Sequence, residues 1–248
     1  MDEHNDANRT DHPPELRKLN ASSLADAHPI PCRYEKTTLH SLADAHPLPC
    51  RYENITLHRG SLVDTGADCV VNAANEVLQG GGGVDEVIHG CASAGLSLHL
   101  PDTCPLCVEC RALFPVDAEG ARVRPGKAVT TSAYGITAAR FVVHTVAPYL
   151  DEAGRSQPEL LAACYKNALR AAQSVKAKSM VYPALGTGFY GYPMLEAGRV
   201  AISAITEFFE DEAGCWRIPV ILAGRGPLSC AILARLLGEE VIEENECA

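Results

Sequence analysis

Two apolar segments of this chain each run into a glycine-rich turn and then into a helical pattern. That repeated order constrains the fold more than any other feature. In the first, Cys69-Val70-Val71 leads into Asn72-Ala73-Ala74-Asn75, then Gly80-Gly81-Gly82-Gly83, then Val84-Asp85. In the second, a strand ending at Pro183 leads into Ala184-Leu185-Gly186-Thr187-Gly188-Phe189-Tyr190-Gly191. Glycines leave backbone N–H groups bare, so a phosphate can approach the chain closely. A helix that starts directly afterwards adds the positive end of its dipole. Strand–loop–helix units build α/β sheets, whose ligands sit at the carboxyl ends of strands. Both loops follow strands, so they can meet at one end of one sheet.

From residue 51 onward the pattern alternates. Short Val- and Ile-rich runs predict buried strands at 54–58, 68–72, 127–132, 141–146, 179–183 and 218–223. Helices are predicted at 84–94, 158–176, 194–209 and 227–237, with Pro158 and Pro227 suited to a first turn. Leu160, Leu161, Cys164, Ala168, Ala171 and Ala172 form a mostly small-residue face for sheet packing. The alternation predicts an α/β fold, a three-layer α/β/α domain. Between Cys91 and Lys127 it breaks down, which suggests a loop or inserted segment followed by a short helix.

Residues 51–240 therefore form the expected domain. Residues 1–50 read as a flexible extension. They hold most of a tandem duplication, in which residues 23–40 recur as 41–58 with changes only at Ile30/Leu48, Lys36/Asn54 and Thr37/Ile55. The second copy supplies Ile55-Thr56-Leu57 as a first strand. The first copy is either a loose arm or a competitor for an edge of the sheet. Residues 241–248 read as an acidic solvated tail.

The 248 residues carry a net charge of −10. Such a surface repels nucleic acid on average, so phosphate must be held by backbone N–H groups rather than by a basic patch. No apolar run is long enough to span a bilayer, and no apolar segment precedes a cleavage site near the N-terminus. The expectation is an intracellular protein, cytoplasmic or nuclear, and a monomer. Its 11 cysteines are then reduced thiols or metal ligands rather than disulfides.

Asn75 and Asp85 are separated mainly by the glycine run, so both can face one ligand. A carboxamide can donate to and accept from sugar hydroxyls, and an ionised carboxylate can take a proton from water. Beside a phosphate cradle, such a set suggests a nucleotide-sugar site. Asp85 can also be read as a plain helix-terminus residue and Asn72 as a strand-end cap. In the second loop Tyr190 can cover a ribose, or Phe189 and Tyr190 can simply pack. Neither loop is a Walker motif, and neither carries the G-x-G-x-x-G fingerprint in the first strand–turn–helix unit that a dinucleotide dehydrogenase would show. Cys104-Pro105-Leu106-Cys107-Val108-Glu109-Cys110 holds two C-x-x-C spacings, with Cys91 and His99 upstream. These five residues are candidates for a structural zinc, or else reduced packing thiols. His144 reads as a core histidine, and His89, one turn into the first helix, as a packing residue that can also touch the site.

NAAN-x(4)-GGGGVD, then Phe141-Val142-Val143-His144-Thr145-Val146-Ala147-Pro148, then PALGTGFYGYP, together resemble a macrodomain of the MacroD type over roughly residues 52–238. The resemblance implies a central mixed sheet of six or seven strands. It implies binding of ADP-ribose and removal of mono-ADP-ribose from acidic side chains of proteins, with hydrolysis of O-acetyl-ADP-ribose. Asn75 and Asp85 would be the catalytic pair. Gly81, Gly82, Gly83 and Val84 would line the ribose and diphosphate, and Gly186, Thr187, Gly188, Phe189 and Tyr190 would close over them. Ser61, Leu62, Ala73 and Arg225 complete the expected ligand contacts. Ser61 stands where the family usually has an acid, and Arg225 stands near the family's adenine-stacking aromatic residue. No cofactor is expected for catalysis, because ester hydrolysis needs an oriented water and a carboxylate leaves readily. Two other readings of the same pocket are a non-catalytic ADP-ribose reader and a phosphatase acting on ADP-ribose 1″-phosphate.

Overall fold

The computed structural model describes residues 54–93 and 102–238. The duplicated extension, His99 and the acidic tail lie outside the described residues. The strands are β1 (Ile55–Arg59), β2 (Cys69–Ala73), β3 (Ala128–Ser132), β4 (Phe141–Thr145), β5 (Met180–Pro183) and β6 (Val220–Gly224). The helices are α1 (Val84–Ala92), α2 (Pro105–Leu113), α3 (Pro158–Ser174), α4 (Met194–Glu207) and α5 (Pro227–Leu237). The strands form one six-stranded sheet in the order β1-β6-β5-β2-β4-β3. Neighbours are parallel except β3 and β4, so the sheet is mixed, as expected.

Side-chain alternation along the strands divides the core into two layers. Cys69 and Val71 of β2, Val143 of β4, Met180 and Tyr182 of β5, and Val220 and Leu222 of β6 face one side. There they meet Leu161, Cys164, Ala168 and Ala172 of α3, Ala201 and Ile205 of α4, and Ile232 and Leu236 of α5. Val70, Val142, Val181 and Ala223 face the other side, against Ile88 of α1 and Leu106 of α2. The three-layer expectation holds. The small residues at 164, 168 and 172 let α3 lie close to the sheet. Near its end α4 passes into a π turn, Phe208–Glu212, instead of continuing as α-helix to residue 209.

Parallel strands place all their carboxyl ends at one edge. Asp68 anchors the opposite edge, just before β2. Arg140, just before β4, clamps the carboxylate through Nε and Nη2, each at 2.6 Å. Lys178 N donates to Oδ2 at 2.8 Å, just before β5. The amino ends of three central strands are therefore tied to one carboxylate. The Arg140 hydrogen bonds, helped by Lys178 N and opposed by partial burial, hold that carboxyl below its ordinary value of 3.8. Replacing Asp68 with alanine should lower the melting temperature by about 2–4 °C at neutral pH. The folded carboxyl titrates below the unfolded one. The stabilisation is therefore complete above the unfolded value and fades as pH falls through the folded value. Melting curves of Asp68→Ala and the parent should converge in acid, and a gap that persists there would refute this assignment.

Candidate functional site

At the carboxyl edge of the sheet the two glycine loops enclose a cleft of about 750 Å³. The predicted residues in its lining come from three places in the sequence. Ala73, Asn75, Gly81, Gly82, Gly83, Val84 and Asp85 come from the β2–α1 loop. Gly186, Thr187, Gly188, Phe189 and Tyr190 come from the β5–α4 loop. Arg225 comes from the end of β6. The structure thus gathers these predicted residues around one space. Ser61 and Leu62 are not part of that lining. Leu62 starts a single 3₁₀ turn, Leu62–Asp64, and is buried in the layer beneath α1. Ser61 follows Gly60, whose N–H bonds to Gly224 O at 2.9 Å, so it sits beside the β6 corner that carries Arg225.

Local bonds explain how each loop holds its shape. After β2 the chain turns where Leu78 N donates to Asn75 O at 3.2 Å. Leu78 takes a left-handed φ of 54° and is buried. Asn75 Nδ2 donates to Gly80 O at 2.8 Å and ties the glycine run back to the strand end. Its Oδ1 is buried with no hydrogen-bond partner among the described residues. Buried carbonyl oxygens are rarely left so, and this one is suited to a ligand hydroxyl. α1 then starts at Gly83 without a side-chain cap, which leaves its first N–H groups for an anion.

The second loop is braced by two buried tyrosines. Tyr182 OH donates to Tyr165 O at 2.9 Å, and Leu185 N donates to Tyr165 OH at 3.3 Å. Gly186 has φ +79°, and Tyr192 N closes the turn on Gly186 O at 3.0 Å. Tyr190 stacks on Tyr149 with ring centroids 3.8 Å apart. Phe189 is 91% exposed at the cleft. It is therefore not a packing residue, and a large apolar ring held in water beside a cleft suits a ligand face.

Asp85 is only 4% exposed, far more buried than a helix-terminus residue. Asn72 Nδ2 donates to its Oδ1 at 2.6 Å. The same Nδ2 lies 3.1 Å from His144 Nδ1. An amide nitrogen only donates, so His144 Nδ1 accepts and its Nε2–H donates to Thr131 Oγ1 at 2.9 Å. Burial holds His144 down to about 4, which keeps it neutral for this role. Asn72 is thus not a strand-end cap but an orienting arm for Asp85. On its other flank, His89 Nε2 lies 3.2 Å from Asp85 Oδ1. Burial by itself disfavours the imidazolium, but bonds to Asp85 and Cys104 outweigh it and raise His89 to about 9. These bonds occupy Oδ1. Oδ2 and Asn75 Nδ2 both border Gly81, where an added Cβ would stand 3.2 Å and 3.3 Å from them. Only a glycine there keeps that corner open.

Both readings of His89 meet in the structure, where the ring is buried and also bridges Asp85 to the cysteines. Its Nδ1 lies 3.2 Å from Cys104 Sγ and 3.4 Å from Cys107 Sγ. Of the cysteine candidates, Cys104 and Cys107 join this group. Cys110 Sγ instead lies 3.9 Å from His144 Nε2. Cys91 is half-buried and stays outside the group.

Comparison with known proteins agrees with this architecture. The Macro domain family model matches residues 71–201, more than half of the chain. A Macro domain-containing protein of Streptomyces griseus is 40% identical over 147 residues, 59% of this chain and 76% of that protein. An O-acetyl-ADP-ribose deacetylase of Salmonella typhimurium is 35% identical over 150 residues, covering 60% and 76%. Among solved structures, an Oceanobacillus iheyensis macrodomain with ADP aligns with a TM-score of 0.61 at 31% identity, over 73% of this chain and 88% of that one. A Trypanosoma brucei macrodomain in complex with ADP-ribose aligns at 0.57 and 30%, covering 73% and 67%. The glycine loops, the mixed sheet and these matches converge, and the chain belongs to the macrodomain family.

Proposed function

We propose that the cleft binds ADP-ribose and that the chain hydrolyses ADP-ribosyl esters, both those on acidic side chains of mono-ADP-ribosylated proteins and that of O-acetyl-ADP-ribose. The observation that carries this reading is the corner at Gly81, where Asp85 Oδ2 and the Asn75 carboxamide border one spot of the cleft. A pure reader has no use for a buried carboxylate oriented on both sides. A cleft of about 750 Å³ has room for a dinucleotide-sized ligand. The α1 N-terminus and the 186–190 turn suit a diphosphate, and Asn75 Oδ1 suits a ribose hydroxyl. Arg225 lines the β6 end and has no ion-pair partner among the described residues, so its guanidinium is available to stack on adenine.

In this reading Asp85 Oδ2 orients a water and accepts its proton. On a side-chain ester the water oxygen bonds to the ribose C1″, the C1″–O bond breaks and the side-chain carboxylate leaves. On O-acetyl-ADP-ribose it bonds to the acetyl carbon, the acyl C–O bond breaks and the ribose oxygen leaves, taking a proton back from Asp85. Asn72 and His89 fix Oδ1, so the base does not swing away. A protein carrying Glu-linked mono-ADP-ribose and O-acetyl-ADP-ribose are the two test substrates. Release of free ADP-ribose from both is the expected result. Tight binding of ADP-ribose with neither ester cleaved would replace this reading with that of a reader module.

A further inference from the structure

Behind Asp85, on the side away from the cleft, three ligand atoms converge. His89 Nδ1, Cys104 Sγ and Cys107 Sγ all lie within 4.8 Å of one another. All three residues are buried, at 0%, 1% and 0% exposure. Cys104 immediately precedes α2, and Cys107 lies in its first turn. That spacing brings both sulfurs to one side of the helix start, the geometry of a C-x-x-C ligand pair. His89 comes from α1, so the group joins two helices that are separate in sequence.

Hydrogen bonding within this cluster is shared, with Cys104 Sγ bonded to both His89 and Cys107. An imidazole Nδ1 has one proton or one lone pair, and it faces two sulfurs at 3.2 Å and 3.4 Å. A metal ion serves all three atoms at once. Tetrahedral zinc with Zn–S near 2.3 Å and Zn–N near 2.0 Å puts neighbouring ligand atoms about 3.5 Å apart, so only small shifts are needed. The nitrogen–sulfur donor set selects zinc or a similar borderline-soft divalent ion over magnesium or calcium. A redox dithiol uses the same spacing but must meet its partner, and these sulfurs are covered.

We propose that His89, Cys104 and Cys107 form a zinc site that pins α2 to α1. Three protein ligands leave one tetrahedral position for a fourth donor. With the metal on Nδ1, the imidazole proton belongs on Nε2, which stands 3.2 Å from Asp85 Oδ1. A metal–histidine–carboxylate relay of this kind fixes both ring and carboxylate. His89 is then a positioning residue for Asp85. That role rests on the hydrolase reading, whereas the metal site itself does not.

The test is metal analysis of the full chain, purified without chelator from zinc-supplemented culture, with cobalt exchange as a second measurement. About one zinc per chain is expected, with cobalt-loaded protein showing thiolate-to-cobalt charge-transfer absorption in the near ultraviolet. The Cys104→Ser/Cys107→Ser double variant should hold less than about a tenth of a zinc, while Cys164→Ser, on the far layer, keeps the parent's content. Parent protein with less than about a tenth of a zinc and no cobalt absorption would overturn the site, whatever the variants do. A folded double variant that keeps its full zinc would also overturn it. Neither measurement depends on hydrolase activity, so loss of activity with zinc present counts against the hydrolase reading alone.

Discussion

Asp85→Asn should lower the rate of ester hydrolysis by about 10²–10⁴-fold and leave ADP-ribose affinity within about tenfold of the parent. Asparagine is nearly the same shape as aspartate. Its carbonyl oxygen can still accept from Asn72 and His89, the two groups that now hold Oδ1 at 2.6 Å and 3.2 Å. The variant thus retains the buried network but cannot take a proton from water. Asp85→Ala is a harsher test of the same idea. It leaves the buried Asn72 amide and the His89 ring without their acceptor, at about 1–3 kcal/mol. Alanine should therefore lose both activity and several degrees of melting temperature, and asparagine mainly activity. The pair separates a chemical role from a structural one. Parent-like turnover by a folded Asp85→Asn protein would remove Asp85 from the reaction.

Gly186→Val should weaken ADP-ribose binding by at least about tenfold, corresponding to 1.4 kcal/mol or more. Gly186 has φ +79°, a region costly for a β-branched residue. A Cβ there would also lie 3.3 Å from Tyr192 Cβ and 3.6 Å from Ala147 Cβ. Both neighbours are buried, so the loop has to give rather than they. The turn from Gly186 to Tyr192 would open, and with it the wall of the cleft that carries Phe189 and Tyr190. Titration calorimetry on a variant that still melts cooperatively is the measurement. Unchanged affinity would mean that the 186–190 turn does not grip the ligand.

Local chemistry made the frame of this molecule legible in its sequence. Strand β2 shows as Cys69-Val70-Val71, and the glycine run after it can be little other than a turn. Pro227 and Leu237 bound α5 as predicted, because proline fits a first turn and a glycine follows the end. The gathering of the two loops followed from parallel topology, since both come after strands. Long-range pairing was not legible. Periodicity places His89 on the inner face of α1 but does not say what meets it there. Its partners, Cys104 and Cys107, lie across residues 94–101, in the stretch where the strand–helix alternation breaks down. Asn72 read as a cap because its register opposite His144 exists only once β2 and β4 pair. Leu62 was assigned to the ligand by resemblance. Its burial beneath α1 arises only once the sheet and that helix pack.

The central claim is that two glycine-rich turns at one edge of a sheet hold a diphosphate through main-chain amides, with a ribose at the Asp85 corner. Calorimetric titration of the parent chain with ADP-ribose, AMP and ribose-5-phosphate tests it most directly. Saturable binding of ADP-ribose is predicted, with AMP and ribose-5-phosphate each weaker by at least about tenfold, because neither half spans both turns. No heat with ADP-ribose, or AMP binding as tightly as ADP-ribose, would contradict it.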